Sequence, residues 1–458
     1  MGTATKPVGA LRDPGETFGG EVVRPADDGY DEARAVFNGL IDKRPALILR
    51  CRTTGDIVEA LAVARESGLE IAVRGGGHNI AGRSTSDGGV VIDLSPMKQI
   101  TIDPVARIAR VAPGVTWGEL NDAAAEHGLA TTGGTISTTG VAGLTLGGGL
   151  GWLMGGYGLA ADNLTAVEIV TAEGDVVHAD ADHEPDLFWA VRGGGGNFGI
   201  VSSFEFRLHP VATVVAGLVV HAFDAAADLL RLCREFTAGL PDEIGLMPLL
   251  VHAPDGSGTP VAAVAVCHAG PSDQASSDLT RLLEHGSPLL TQVGPMPYPV
   301  VNTMLDDGFR PGNRYYWKSS FMPALSDEAI EVLVRRFAEC PSPMSGIAIE
   351  YLHGAVTRIP VSATAVAHRD TSFNILIAGV WQDPAGDAAN MTWARDTYAE
   401  LEPFFVNRRY VNYLSEDDAE VRSAYGPNYE RLAALKHRYD PENLFRANHN
   451  ILPAPAQD

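Results

Sequence analysis

The chain has 458 residues, 45% hydrophobic and 20% charged, the balance of a folded globular protein rather than a disordered one. Asp and Glu number 57 against 34 Lys and Arg, for a formal net charge of -23, so nucleic acid and anionic membrane surfaces are excluded as partners by repulsion. A prior of about 150 residues per domain gives two or three domains.

Cys51, Cys233, Cys267 and Cys340 stand apart with no Cys-x-x-Cys pair, which fits neither a disulfide framework nor a zinc site, and no metal is expected. The start, Met1-Gly2-Thr3, has a myristoylation-like Met-Gly without a polybasic patch. It leads into polar sequence without the apolar core of a signal peptide, and no run of about 18 apolar residues follows. These features predict a soluble cytoplasmic protein.

Residues 1–30 read as an irregular arm. Apolar spacing is helical over 31–40 and 56–67, and Gly68 stops the second helix. An alternating strand over 70–73 runs into Arg74-Gly75-Gly76-Gly77-His78-Asn79. Three glycines after a strand bury nothing, but they let the chain turn tightly and expose successive N–H groups, as in concavities that hold phosphate oxygens. Arg74 sets a positive charge beside that loop and His78 an imidazole at its lip. The plain alternative is a turn followed by a surface histidine.

A strand over 89–94, a hairpin of 99–102 with 106–111 across Asp103-Pro104, and a helix over 116–127 follow. The segment 133–152 is dense in glycine yet too apolar for a flexible linker, which predicts a rigid backbone cradle around a flat ligand. A hairpin of 164–171 with 176–179 and a helix over 185–191 lead to Gly194-Gly195-Gly196-Asn197-Phe198-Gly199. That string matches Gly-x-Gly-x-x-Gly, but a helix precedes it and a strand follows. The order is the reverse of a dinucleotide-binding unit, which is therefore rejected.

From 209 to about 405 the texture changes. Helices are predicted at 225–238, 274–285, 327–340 and 391–401, and strands at 214–221, 261–268, 346–352 and 373–381. A sheet with helices on one face accommodates them. The tail returns to tyrosine and asparagine, with Arg409-Tyr410-Val411-Asn412-Tyr413 and later Tyr439-Asp440-Pro441-Glu442-Asn443.

The Arg-Gly-Gly-Gly-His loop, the segment 133–152, residues 193–201 and the tail together resemble the berberine-bridge-enzyme-like FAD-linked oxidases of the vanillyl-alcohol oxidase superfamily, with its PCMH-type FAD-binding domain. The resemblance implies an α+β fold: an FAD-binding domain of residues 1–208 completed by 406–458, with an inserted substrate domain of 209–405. It implies that FAD lies against Arg74, Gly75, Gly76, Gly77, His78 and Asn79. Thr139, Gly140, Gly143, Leu144, Gly148, Gly149 and Gly151 would follow it, with Asn197, Gly199, Val201, Tyr410 and Asn412. In the family the loop histidine is bonded to the flavin C8 methyl, which here is His78. Many members add a second bond through a cysteine in Cys-Pro-x-Val-Gly; the aligned Ile136-Ser137-Thr138-Thr139-Gly140 has none. Attachment through His78 alone is implied, and a sugar oxidase is placed in doubt.

Loss of a hydride to a flavin requires a base for the accompanying proton. By resemblance the tail supplies Tyr413 and Tyr410, each either base or flavin partner. On the sheet, Glu350 interrupts an apolar strand and so carries a functional expectation, against the alternative of an edge-strand surface charge. His353 alternates onto the opposite face from Glu350. Tyr316 and Lys318, with Glu350 and His353, complete the expected substrate contacts. The reading is an FAD-dependent oxidase of a small or medium organic molecule, reoxidised by O2. The alternatives are a flavin-dependent oxygenase or cyclase, with Thr139 and Leu144 bounding an oxygen pocket, or a flavin-binding protein without turnover. No motif encodes the substrate or the oligomeric state.

Overall fold

Helix Thr54–Ser67 starts where Thr53 and Asp56 cap each other reciprocally, and it stops at Gly68, whose φ of 69° is left-handed. In the computed structural model, which describes residues 11–418 and 421–455, this helix packs against both sheets of the first half of the chain. One sheet runs in the order Glu21–Val23, Leu47–Arg50, Val90–Asp93, Ile71–Arg74, its last three strands parallel. The other has five antiparallel strands in the order Ile100–Asp103, Ile108–Val111, Ile200–Arg207, Leu164–Val170, Val176–Asp180. The Met1-Gly2 start lies outside the described residues. No helix among those described is long and apolar enough to cross a membrane.

The third sheet has seven antiparallel strands. Their order is Leu290–Pro297, Thr213–Ala222, Pro260–His268, Ile244–His252, Gly346–Leu352, Ser372–Trp381, Arg314–Met322. Helices Ala226–Thr237, Ser272–Leu283, Asp327–Ala338 and Asp387–Leu401 cover one face, burying Leu246, Leu250, Val264, Ile349, Ile375 and Ile377. Alternation sends Met247, Leu249, Ala263, Leu376 and Ala378 to the other face. That face looks toward the glycine segments.

Three strands of this sheet differ from the sequence expectation. Ile244–His252 carries Pro248, and Leu290–Pro297 carries Gly294, Pro295 and Pro297, residues that argue against strands taken alone. Arg314–Met322 mixes aromatic with polar residues and has no clean alternation. In each case pairing with neighbours overrides local preference. The helix predicted over 31–40 shrinks to Tyr30–Arg34, because the following residues are captured by the sheet: the Asn38 amide donates to the carbonyls of Ile80 and Tyr315, and Gly39 N–H to that of Asn313. Conversely, the glycine-rich segment contains a short helix, Val141–Leu146, held by tertiary contacts where propensity alone is too weak.

The tail returns to the first half. Leu432, Leu435, Phe445 and Ile451 join the same core as Leu49, Ile92 and Phe206. At its centre the fully buried Lys436 ammonium donates to Asp440 at 2.6 Å, to the Asn197 carbonyl at 2.8 Å and to the Phe445 carbonyl at 2.9 Å. Asp440 in turn accepts the N–H groups of Leu444 and Phe445. Removing one partner leaves the other charge buried and uncompensated. Lys436→Met is therefore expected to lose about 3–5 kcal/mol of unfolding free energy in urea titration, against under about 1 kcal/mol if the pair were dispensable.

Candidate active site

The loop after Ile71–Arg74 and the second glycine segment meet backbone to backbone. A Cβ on Gly76 would stand 2.6 Å from Gly140 Cα, and one on Gly75 would stand 2.9 Å from the Pro113 carbonyl oxygen. Gly77 turns the loop with φ of +69°. Trp117 N–H to the Thr139 carbonyl and Val141 N–H to that of Val115 hold the second segment in register.

A cavity of about 990 Å³ opens from this junction onto the bare face of the seven-stranded sheet. Gly75, Gly76, Gly77, His78 and Asn79 line it, as do Thr139, Gly140, Gly143 and Leu144. Asn197, Gly199, Val201, Tyr410 and Asn412 complete that side. Four expected cofactor contacts lie elsewhere. Arg74 donates to Asp93 at 2.6 Å and to the Ala35 carbonyl at 3.2 Å, so its charge is neutralised beneath the loop and not offered to a phosphate. Gly148 and Gly149 turn behind the cavity with φ of +111° and +87°. Gly151 serves packing, since a Cβ there would meet the Gly133 carbonyl oxygen at 1.8 Å.

Tyr410 accounts for that turn. Its hydroxyl oxygen accepts the N–H groups of Gly149 and Leu150, both at 3.1 Å, and the Asn412 amide at 2.9 Å. A phenol so engaged, with its pKa pushed by burial to about 12, positions the glycine segment and does not take a proton. The expectation that Tyr410 acts as a base is corrected accordingly.

His78 stacks on Phe37 with ring centroids 3.6 Å apart, and its Nε2 lies 3.3 Å from Thr138 Oγ1. Burial lowers its pKa to about 4, so the imidazole is neutral at ordinary pH and keeps a nucleophilic nitrogen. Ile136 lines the cavity and none of the four cysteines does.

Across the cavity, Glu350 is buried in the sheet. The Tyr413 hydroxyl donates to one carboxyl oxygen at 3.0 Å, and the Asn374 amide to the other at 2.8 Å. Burial raises its pKa to about 7, moderated by those two bonds. Tyr413 is driven well above the usual phenol range by burial and by the Glu350 charge, so it stays protonated. Of the two, Glu350 is the group able to accept a proton near neutrality.

Two further residues belong to this wall. Trp317 stands edge-on to Tyr413 with centroids 5.5 Å apart, and its indole N–H is buried without a protein acceptor. Asn374 sits opposite Glu350 in the pairing register. For Asn374 the signal was strand parity, since it pairs with Glu350 and shares its face; Trp317 lies on a strand without clean alternation and pairs with Ala378, so its own sequence did not point to it.

Parity also removes three expected substrate contacts. Tyr316 and Lys318 point away from the cavity, where the Tyr316 hydroxyl donates to Asp417 at 2.6 Å and the Lys318 ammonium to Asp417 at 2.8 Å and Asp418 at 2.7 Å. They anchor the tail along the outer strand. His353 stacks on Tyr351 and has its ring nitrogens near the carbonyls of Tyr351 and Pro241, outside the cavity.

The flavin side of the cavity fits a dinucleotide carrying a flat ring. Its two loops approach as only glycines allow, and Ser84 Oγ, Asn448 Oδ1 and His449 Nε2 are buried there without protein partners, as groups reserved for a polar ligand are. A glycine-lined cradle facing a carboxyl-bearing sheet defines a flavin-dependent oxidoreductase. Residues 45–180 match the FAD binding domain family, and residues 409–452 the berberine and berberine-like family. The chain is 36% identical over 448 residues to (R)-6-hydroxynicotine oxidase of Paenarthrobacter nicotinovorans, covering 95% of this chain and 97% of that one. It is 28% identical over 459 residues to xylooligosaccharide oxidase of Thermothelomyces thermophilus, covering 91% and 89%. The crystal structure of 6-hydroxy-D-nicotine oxidase from Arthrobacter nicotinovorans superposes with a TM-score of 0.87 at 34% identity, covering 96% of this chain and 99% of that one. The chain belongs to the berberine-bridge-enzyme-like FAD-linked oxidoreductases.

Gly76→Ala tests the cradle. Because the obstructing atom is backbone, the loop must shift, and the purified variant is expected to carry little FAD by visible absorbance. Full flavin loading in Gly76→Ala would show that the contact is not required.

Proposed function

We propose that this protein oxidises a small or medium-sized, largely apolar amine, using FAD attached through His78 alone and O2 as the acceptor. The observation that carries the reading is Glu350, a buried carboxyl among mostly apolar side chains of the sheet wall, held opposite the glycine cradle. We read residues 1–208 and 406–458 as the flavin unit and 209–405 as the substrate unit.

FAD held by Gly75, Gly76, Gly77, His78, Thr139, Gly140 and Asn197 would supply the hydride acceptor and the route for electrons to O2. The chain's own part is to prepare the substrate. An amine gives up hydride once its nitrogen is neutral, and ionised Glu350 is placed to take the ammonium proton. Tyr413 and Asn374 each hold one carboxyl oxygen, fixing its direction without adding charge. The Trp317 N–H offers a donor to a polar atom of the substrate. Two relatives are named for unlike substrates, a hydroxynicotine and xylooligosaccharides. A sugar carries hydroxyls along its length, and laying them on Leu249, Val251, Leu376 and Val380 would strand them without partners. That stretch favours a substrate with few hydroxyls, and the Glu350 carboxyl favours one with an ionisable nitrogen.

His78→Ala tests the attachment. The unmutated protein is expected to keep its yellow colour in an acid-precipitated pellet, and the variant to release it. Colour lost equally from both would overturn the covalent link.

The pH dependence tests Glu350. Below about pH 7 its carboxyl is protonated and accepts nothing, so flavin reduction by a turning-over amine should rise with pH through about 7 and then level. Glu350→Gln should remove that limb and slow reduction by about 10²–10⁴-fold. Tyr413→Phe removes a donor that favours the carboxylate, so its limb should move to higher pH. A flat profile in the unmutated protein, or an unchanged rate in Glu350→Gln, would remove Glu350 from the role.

A further inference from the structure

Beyond Glu350 the cavity wall continues across the sheet farther than a small amine needs. The pairing register places Leu376 beside Ala348, Ala348 beside Leu249, Leu249 beside Ala263, Ala263 beside Val220, and Val220 beside Leu290. All six line the cavity, and none carries a polar side-chain atom. With strands about 4.8 Å apart, the five steps of this row span about 24 Å. Leu290 ends the row on the open edge strand, 48% exposed. Leu290 thus leaves the row open to solvent at its far end, so the row has room for a chain longer than the head group.

The row is the wall of a cavity, not a flat face for another protein. Residues 252–258 and 304–310 contribute to its lining, and the second stretch is tied to the flavin side by Asp306, which accepts the Ser137 N–H at 2.9 Å and also the Ser137 hydroxyl. Glu350 and Tyr413 line the same continuous cavity. An occupant of the row is therefore part of the molecule presented to Glu350.

We propose that the substrate carries an apolar tail, alkyl or aryl-alkyl, which lies along the row from Leu376 toward Leu290 while its polar head sits beside Glu350. The placement of the head rests on the function proposed above, whereas the tail site rests on the row itself. A polar chain of the same length, such as an oligosaccharide, would leave unpaired each hydroxyl laid on these six hydrocarbon side chains, since Gln292 and His252, which also line the cavity, lie outside the row.

Binding, not turnover, is the test. The flavin-loaded protein is titrated with 4-alkylphenols from methyl to octyl, followed by tryptophan fluorescence and flavin absorbance. Each methylene laid on the row should tighten binding between about two- and fourfold. The octyl-to-methyl ratio of Kd in each protein serves as its own reference. Leu249→Gln and Ala263→Asn, two and three steps along the row from Leu376 and within reach of an octyl chain whose ring lies beside Glu350, should both shrink that ratio by about tenfold or more, the equivalent of two or more methylenes losing their apolar contact. A ratio near one in the unmutated protein overturns the proposal, as does a ratio that neither substitution changes. If the length dependence appears but no amine is oxidised, the tail site stands and the proposed reaction falls. If short amines are oxidised with no length dependence, the reaction stands and the tail site falls.

Discussion

Two stretches of backbone without side chains touch at Gly76 and Gly140, and the flavin side of the molecule is built around that contact. A helix and two sheets bring the loops together, and the tail closes over them through Tyr410 and Lys436. Neither approach survives a Cβ. The cavity exists because the polypeptide gives up side-chain packing at the one place where a ligand's ring and phosphates replace it. The surrounding core, from Leu49 to Ile451, offsets the entropy that so many ordered glycines cost.

Opposite this junction the sheet divides its two faces between two tasks. One face is buried under four helices and is mostly apolar, so the second face is free to be shaped for a ligand. There Glu350, bonded to Asn374 and Tyr413, stands beside the Trp317 indole, with Gln292 and His252 on other strands of the sheet. A buried carboxyl with a pKa near neutrality is costly to charge. The two donors reduce that cost without abolishing it, and the group is left able to exchange a proton under ordinary conditions.

Much of this was legible in the sequence, and the failures share one cause. The glycine loop, His78 and the second glycine segment were readable because backbone conformation confines such residues to few roles. The helix Pro185–Val191 and the strand Gly346–Leu352 fell where spacing put them. Parity assigned Glu350 and His353 to opposite faces, and the structure has them so. What spacing does not carry is which face of a strand meets the ligand. Tyr316 and Lys318 look functional as a cluster, yet the residue between them, Trp317, is the one facing the cavity. Arg74 beside a phosphate-type loop looks like a phosphate ligand, but Asp93 stands next to it on the paired strand and claims it first. Local sequence does not say which charge will arrive.

The Tyr413–Glu350 bond joins residues 63 apart in the chain, and Tyr410 clasps a segment some 260 residues upstream of it. A ribosome makes the tail after both. Until the stretch from Tyr410 to Ile451 emerges and docks, the nascent chain has a sheet whose carboxyl is held by Asn374 alone and a glycine turn without its clasp. The order of synthesis thus withholds the reactive arrangement from every partly made chain.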